Sequence, residues 1–175
     1  MKPLIDTRKL LLALALILLG TTQLCRAQGS PKPVAQLDSV EPHENIYPAD
    51  ADANQQLAEA VKRAGPEHKR VLLVFGANWC YDCHVLDHAL HDGEAGKIVA
   101  ESFLLVHVDI GEGEKNPGLV KEYKIPLDKG VPAVAVLDAS GKLLYSSGEG
   151  EFEAARRMLK KDLVTFLNQW KPAAR

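Results

Sequence analysis

Apolar residues recur along this chain with two different periods, and the alternation between them lays out an order of elements. Leu57, Ala60, Val61 and Ala64 lie three or four apart, which predicts a helix over 54–64. Asp50 and Asp52 stand ahead of it as capping residues, and Gly65-Pro66 behind it as a stop. Val71–Phe75 is an unbroken apolar run, the pattern of a strand covered on both faces. After a break at Gly76–Trp79, a helical period returns from Cys80 with Val85, Leu86, Ala89 and Leu90. Gly93 and Gly96 interrupt it, and Ile98 and Val99 continue it as a second piece. Phe103–Val108 reads as another buried strand ending at Asp109. Asn116-Pro117 predicts a short helix to about Tyr123, with proline in its first turn. Ala133–Leu137 and Lys142–Ser146 flank a turn at Asp138–Gly141 and predict a hairpin. Phe152, Ala155, Leu159, Leu163, Phe166 and Trp170 form one stripe, which predicts a last helix over about 151–170 packed on the core. The order is that of an α/β domain with a mixed central sheet flanked by helices: parallel where helices cross over, antiparallel in the closing hairpin.

The chain begins differently. Lys2, Arg8 and Lys9 precede an apolar run from Leu10 to Leu19, shorter than the roughly 20 residues of a bilayer span. With Cys25-Arg26-Ala27 offering small residues before a cut, residues 1–27 read as a signal peptide, an uncleaved anchor being the alternative. Leu24 is too large for the usual lipid-attachment pattern at Cys25. Residues 28–48 carry Pro31, Pro33, Pro42 and Pro48 with little periodicity and read as an extended linker, leaving 49–175 as the domain. Such a protein is expected in the periplasm or cell envelope.

Length and composition narrow the function. The 175 residues, 46% of them hydrophobic, suit one domain with a proper core. A formal net charge of -2 points neither to a basic nucleic-acid binder nor to a disordered acidic tail. Of three cysteines, Cys25 belongs to the leader, so the mature chain keeps Cys80 and Cys83. A bond between them closes a very small ring, a poor staple but a good exchangeable redox pair.

Phe75-Gly76-Ala77-Asn78-Trp79-Cys80-Tyr81-Asp82-Cys83 resembles the strand-to-helix redox motif of the thioredoxin superfamily. Val108-Asp109-Ile110, Asn116-Pro117-Gly118, Lys121-Glu122-Tyr123, Val131-Pro132-Ala133 and the 138–141 turn continue the likeness over about residues 54–170. The resemblance implies a thioredoxin-like fold and a thiol–disulfide oxidoreductase. Cys80 would be the exposed nucleophile at a helix N-terminus, where unpaired N–H groups stabilise the thiolate. Cys83, one turn in, would be the buried resolving thiol. Pro132 corresponds to the family's cis-proline, leaving the Val131 backbone to pair with an extended substrate. Trp79 would shape the surface beside Cys80, or else pack in the core. Tyr81 and Asp82 would tune the pair: a carboxylate near Cys80 disfavours the thiolate and makes the dithiol a better reductant. Two departures stand out. The family's buried acidic residue is Val74 here, and the lysine accompanying it is His107, which leaves His84 and His107 as proton-transfer candidates. Residues 124–130 insert a loop before Val131.

Cys80-Tyr81-Asp82-Cys83-His84 also satisfies the attachment signature of c-type haem, with Met158 the one mature methionine for a second axial position. A soft metal held by Cys80, Cys83 and His84, or a binding-only scaffold, are further alternatives. The reading that joins most of these features is exchange of disulfides with protein substrates by a monomer, leaning to reduction. It needs no bound cofactor and calls for a membrane-linked redox partner.

Overall fold

The computed structural model describes residues 34–42 and 45–173, so the expected signal peptide and the first part of the linker lie outside the described residues. Helix α1 (Ala53–Glu67) begins at Asp52, whose side chain accepts the N–H groups of Asn54 and Gln55 at 2.9 and 3.1 Å. Asp50 is not the cap. The helix runs through Pro66 rather than stopping at Gly65. It ends where His68 turns left-handed (φ 55°), the His68 N–H donating to the Gly65 carbonyl and the Lys69 N–H to that of Ala64.

Strand β1 (Arg70–Gly76) is followed by α2 (Tyr81–His91) and α3 (Gly93–Ser102), then by β2 (Phe103–Asp109). Helix α4 (Pro117–Glu122) and a 3-10 turn (Leu127–Lys129) lead to β3 (Ala133–Leu137) and β4 (Leu143–Ser146). Asn116 precedes α4 with left-handed backbone (φ 51°), and its side chain caps nothing there but donates to the Asp109 carbonyl at 2.7 Å. The strand order is β2-β1-β3-β4. Residues alternate across β1. Val71, Leu73 and Phe75 pack with α1 and α4, while Leu72 and Val74 pack with α2, α3 and the last helix. Both faces are thus covered, which is why the run was apolar without alternation. Each fully buried leucine contributes roughly 1.5–3 kcal/mol.

Strand β2 runs parallel to β1, as its helical crossover predicts. Strand β3 does not: it is antiparallel to β1, with Phe75 opposite Ala133. The register explains this. β2 leaves the sheet at Asp109, opposite Gly76, and β3 enters opposite Phe75, so the connection starts and finishes at one end of the sheet. The six-residue α4 never carries the chain back along the strands.

The C-terminal helix is shorter than its stripe suggests. Residues 151–154 form turns, Ala155–Arg157 is a 3-10 turn, and only α5 (Lys160–Trp170) is α-helical. Met158 and Leu159 are extended because residues 35–37 pair with them. Gln36 bridges Leu159, the Leu37 N–H donates to Met158 at 2.9 Å, and the Lys160 N–H donates to Ala35 at 2.9 Å. The stretch expected as a linker therefore enters the domain, burying Leu37 beside α5 and Tyr47 beside the cysteines. We expect Leu37→Ala to lower stability in urea unfolding by about 2–3 kcal/mol, the cost of a core truncation, whereas Val34→Ala at an exposed site stays within about 0.5 kcal/mol.

Candidate active site

The site forms where β1 ends. Gly76 is required there by close approach: a Cβ on it would lie 2.6 Å from the Cys83 sulfur and against the Tyr47 hydroxyl. Asn78 follows and is held from several sides. Its amide oxygen accepts the Tyr47 N–H at 3.0 Å, its amide nitrogen donates to the Tyr47 carbonyl at 2.8 Å, and its own carbonyl accepts from His84 Nε2 at 2.8 Å. This clasp ties the N-terminal stretch to the loop that delivers the cysteines.

Cys80 is the N-cap of α2, and Cys80 and Cys83 are joined as a disulfide with their Cα atoms 5.3 Å apart. The Cys83 N–H is shared between the Cys80 carbonyl and Cys80 Sγ, each 3.1 Å away, so a thiolate formed there on reduction meets a first-turn helix donor already in place. Cys80 is 5% exposed and Cys83 wholly buried. Cys80 was expected exposed, but in this oxidised form it is itself buried and presents only a small window. Trp79 is 58% exposed and is a surface platform, not a core residue. Its indole N–H donates to Gly111 at 2.9 Å, fixing the ring at the rim. The Val131–Pro132 peptide is cis, and the Val131 carbonyl oxygen lies 3.5 Å from Cys80 Sγ. The structure thus brings Trp79, Cys80, Cys83, Val131 and Pro132 together. The inserted loop is a 3-10 turn ending at Gly130, whose positive φ of 106° favours glycine just before Val131.

Tyr81 and Asp82 turn to a residue that sequence reasoning missed. Asp82 is buried and does not sit as a lone charge beside Cys80. Its carboxylate accepts the Arg156 N–H at 2.8 Å and pairs with the Arg156 guanidinium at 3.3 Å. The same guanidinium lies over the Tyr81 ring, 5.9 Å from its centroid. Arg156 comes from the 3-10 turn that the predicted long helix concealed. Its positive charge offsets part of the effect that Asp82 was expected to have on the pair.

The histidines separate. His84 is buried against the Asn78 carbonyl. His107, in register with Val74, donates to Asp87 Oδ1 at 2.8 Å and packs edge-on to Tyr47 with ring centroids 5.3 Å apart. Burial opposes ionisation of Asp87. The hydrogen bond from His107 and the charges of His107, His91 and His84 outweigh it and hold the carboxyl below its ordinary value. Tyr47 is missed as well, hidden in the stretch taken for a linker. Burial first, and then the charges of Asp87 and Asp109, push its hydroxyl far above the usual phenol range. The haem and metal alternatives need Cys80, Cys83 and His84 free to converge on one iron or metal ion. Here the two sulfurs are bonded to each other and His84 Nε2 is engaged with Asn78. A cavity of about 400 Å³ lined by residues such as Leu37, His88, Asp92 and Leu163 includes none of the motif residues.

A disulfide at a helix start, facing a cis-proline across the end of a mixed sheet, defines a thiol–disulfide oxidoreductase. Residues 52–139 match the thioredoxin-like family, and the chain belongs to that family. It is 36% identical to the disulphide isomerase from Xylella fastidiosa Temecula1, with 71% of this chain and 95% of that one covered and a TM-score of 0.67. The C-terminal domain of Neisseria meningitidis DsbD in its oxidised form shares the fold at 20% identity, with 69% and 97% covered and a TM-score of 0.51. No curated protein matches the chain. Among the described residues, no helix is long and apolar enough to cross a membrane.

Two outcomes are expected from these contacts. Asp82→Ala leaves the Arg156 N–H without its acceptor and costs about 1–3 kcal/mol in chemical unfolding, while Asp82→Asn keeps an acceptor oxygen and costs less. Asp87, with its carboxyl held below 3.8, adds stability above that value and loses it as pH falls through the lower folded value. Asp87→Asn should therefore lower stability at neutral pH and flatten its dependence below about pH 4, as read from unfolding midpoints across an acid series.

Proposed function

We propose that this protein exchanges disulfides with protein substrates in the cell envelope, working chiefly as a reductase. Cys80 thiolate attacks a substrate disulfide, forming a mixed disulfide and releasing one substrate thiol. Cys83 then attacks Cys80, closing the Cys80–Cys83 disulfide and releasing the second. A membrane-linked redox partner restores the dithiol. The two sulfurs carry both electrons, so no bound cofactor is needed. Residues 1–27 direct export, and the protein acts as a monomer.

The observation that carries this reading is Cys80 capping α2 within 3.5 Å of the Val131 carbonyl, ahead of a cis Pro132. An extended substrate segment pairs with the backbone at Val131 while Trp79 supplies an exposed apolar surface beside the sulfur. Asp82 supports the reducing direction by its proximity to the pair, moderated by Arg156.

In the native compartment, Cys83→Ser should accumulate mixed disulfides through Cys80 with substrate proteins, resolved by reducing agent on a gel. The wild-type potential should lie well below about -120 mV, the strongly oxidising end of the scale. Failure to trap any protein refutes the exchange chemistry, and a potential near that end refutes the reducing direction.

A further inference from the structure

Tyr47 is the buried polar group that the exchange chemistry leaves unused. It is 1% exposed, and among the described residues its hydroxyl has no hydrogen-bond partner although it is buried. A buried donor left unpaired is costly, so an orphan of this kind calls for an explanation. The explanation is in its surroundings. Tyr47, Cys80 and Cys83 form one buried cluster, with Ile46 and Val131 packed on it. The Tyr47 hydroxyl and the Cys83 sulfur both lie on the open side of Gly76, in the space a side chain there would occupy. The tyrosine is held by its backbone to Asn78 and by its ring to His107, which keeps the hydroxyl on this side of Gly76. Its charged and titratable neighbours are Asp87 from α2 and His107 and Asp109 from β2, and Asp87 and Asp109 both keep the phenol protonated.

We infer that Tyr47 is the hydrogen-bond donor reserved for the Cys83 sulfur of the reduced protein, fulfilling at the resolving thiol a role that Val74 has no polar atom to perform. A sulfur tied up in a disulfide is a poor acceptor, and a thiolate a strong one, so the bond forms only after reduction. The inference rests on the exchange reading above. In the resolving step the Cys83 thiolate attacks Cys80 of the mixed disulfide. The Cys80–Cys83 bond forms, the bond from Cys80 to the substrate sulfur breaks, and the electron pair leaves on the substrate thiolate. The proton that Cys83 gave up to solvent ends on that released thiol. Tyr47 transfers no proton and is a positioning residue that favours the thiolate before attack.

The test is Tyr47→Phe, which removes the hydroxyl and keeps the ring. In a Cys80→Ser background, titration of thiolate ultraviolet absorbance reads Cys83, the Cys25 contribution cancelling between the two proteins. Tyr47→Phe should raise the Cys83 titration midpoint by about one pH unit. In the wild-type background it should lower the equilibrium constant for reduction about tenfold, a potential about 30 mV more negative. Thermal melts supply the readout that a packing role would not move: the reduced form should lose stability while the oxidised form does not. Unchanged titration and potential, or equal loss of stability in both redox forms, overturns the inference. The titration needs no turnover, so a wild type that traps no substrate would sink the exchange reading and leave the Tyr47 result standing by itself.

Discussion

The antiparallel pairing of β1 with β3 is the constraint on which the rest of the molecule depends. Had β3 run parallel to β1, Val131 and Pro132 would open the far end of the sheet, a full strand length from the cysteines. Because the 110–132 connection returns to the end it left, Phe75 stands opposite Ala133 and the cis-proline peptide faces Cys80. A helix N-terminus alone would favour a thiolate. The pairing adds a backbone edge beside the sulfur, and it is this edge that the proposed exchange with protein substrates would use.

Around that junction the stabilising contacts come from distant parts of the chain. Residues 35–37 extend Met158 and Leu159, Arg156 meets Asp82, and Tyr47 is clasped by Asn78. Each contact orders a segment whose own preference is weak. Of these, Tyr47 packs against the buried Cys83, while Trp79 stays exposed beside Cys80. Asp82 illustrates the consequence. Its charge, which near Cys80 would favour the reductant, is shared with the guanidinium and backbone N–H of a residue 74 positions away, so any influence it has on the proposed redox pair is shared with that turn.

The sulfur of Cys83 sits in a place where the familiar acidic residue is replaced by Val74, and the polar atoms facing this side come instead from α2, β2 and the N-terminal stretch. Asp87, His107 and Tyr47 make a chain of contacts that ends beside the disulfide, with the hydroxyl at its tip unsatisfied in the oxidised state. In the inferred bond to the Cys83 thiolate, this unpaired hydroxyl would couple the fold to the redox state.

Local order was legible because it is local. The buried strands at 70–76 and 103–109, the helix beginning after Cys80 and the 138–141 turn follow from periodicity and turn residues, and the cysteine spacing alone marked the reactive pair. What the chain could not declare by itself were contacts between segments far apart in sequence. The proline-rich stretch at 34–48 carries no periodicity, yet it buries Leu37 and Tyr47. The stripe from Phe152 to Trp170 is apolar at helical spacing, yet residues 35–37 take up its backbone bonds at Met158 and Leu159. Periodicity reports which face of a segment is apolar, not which remote partner will satisfy its backbone. That choice, and with it the positions of Arg156 and Tyr47 at the cysteines, belongs to the packed structure.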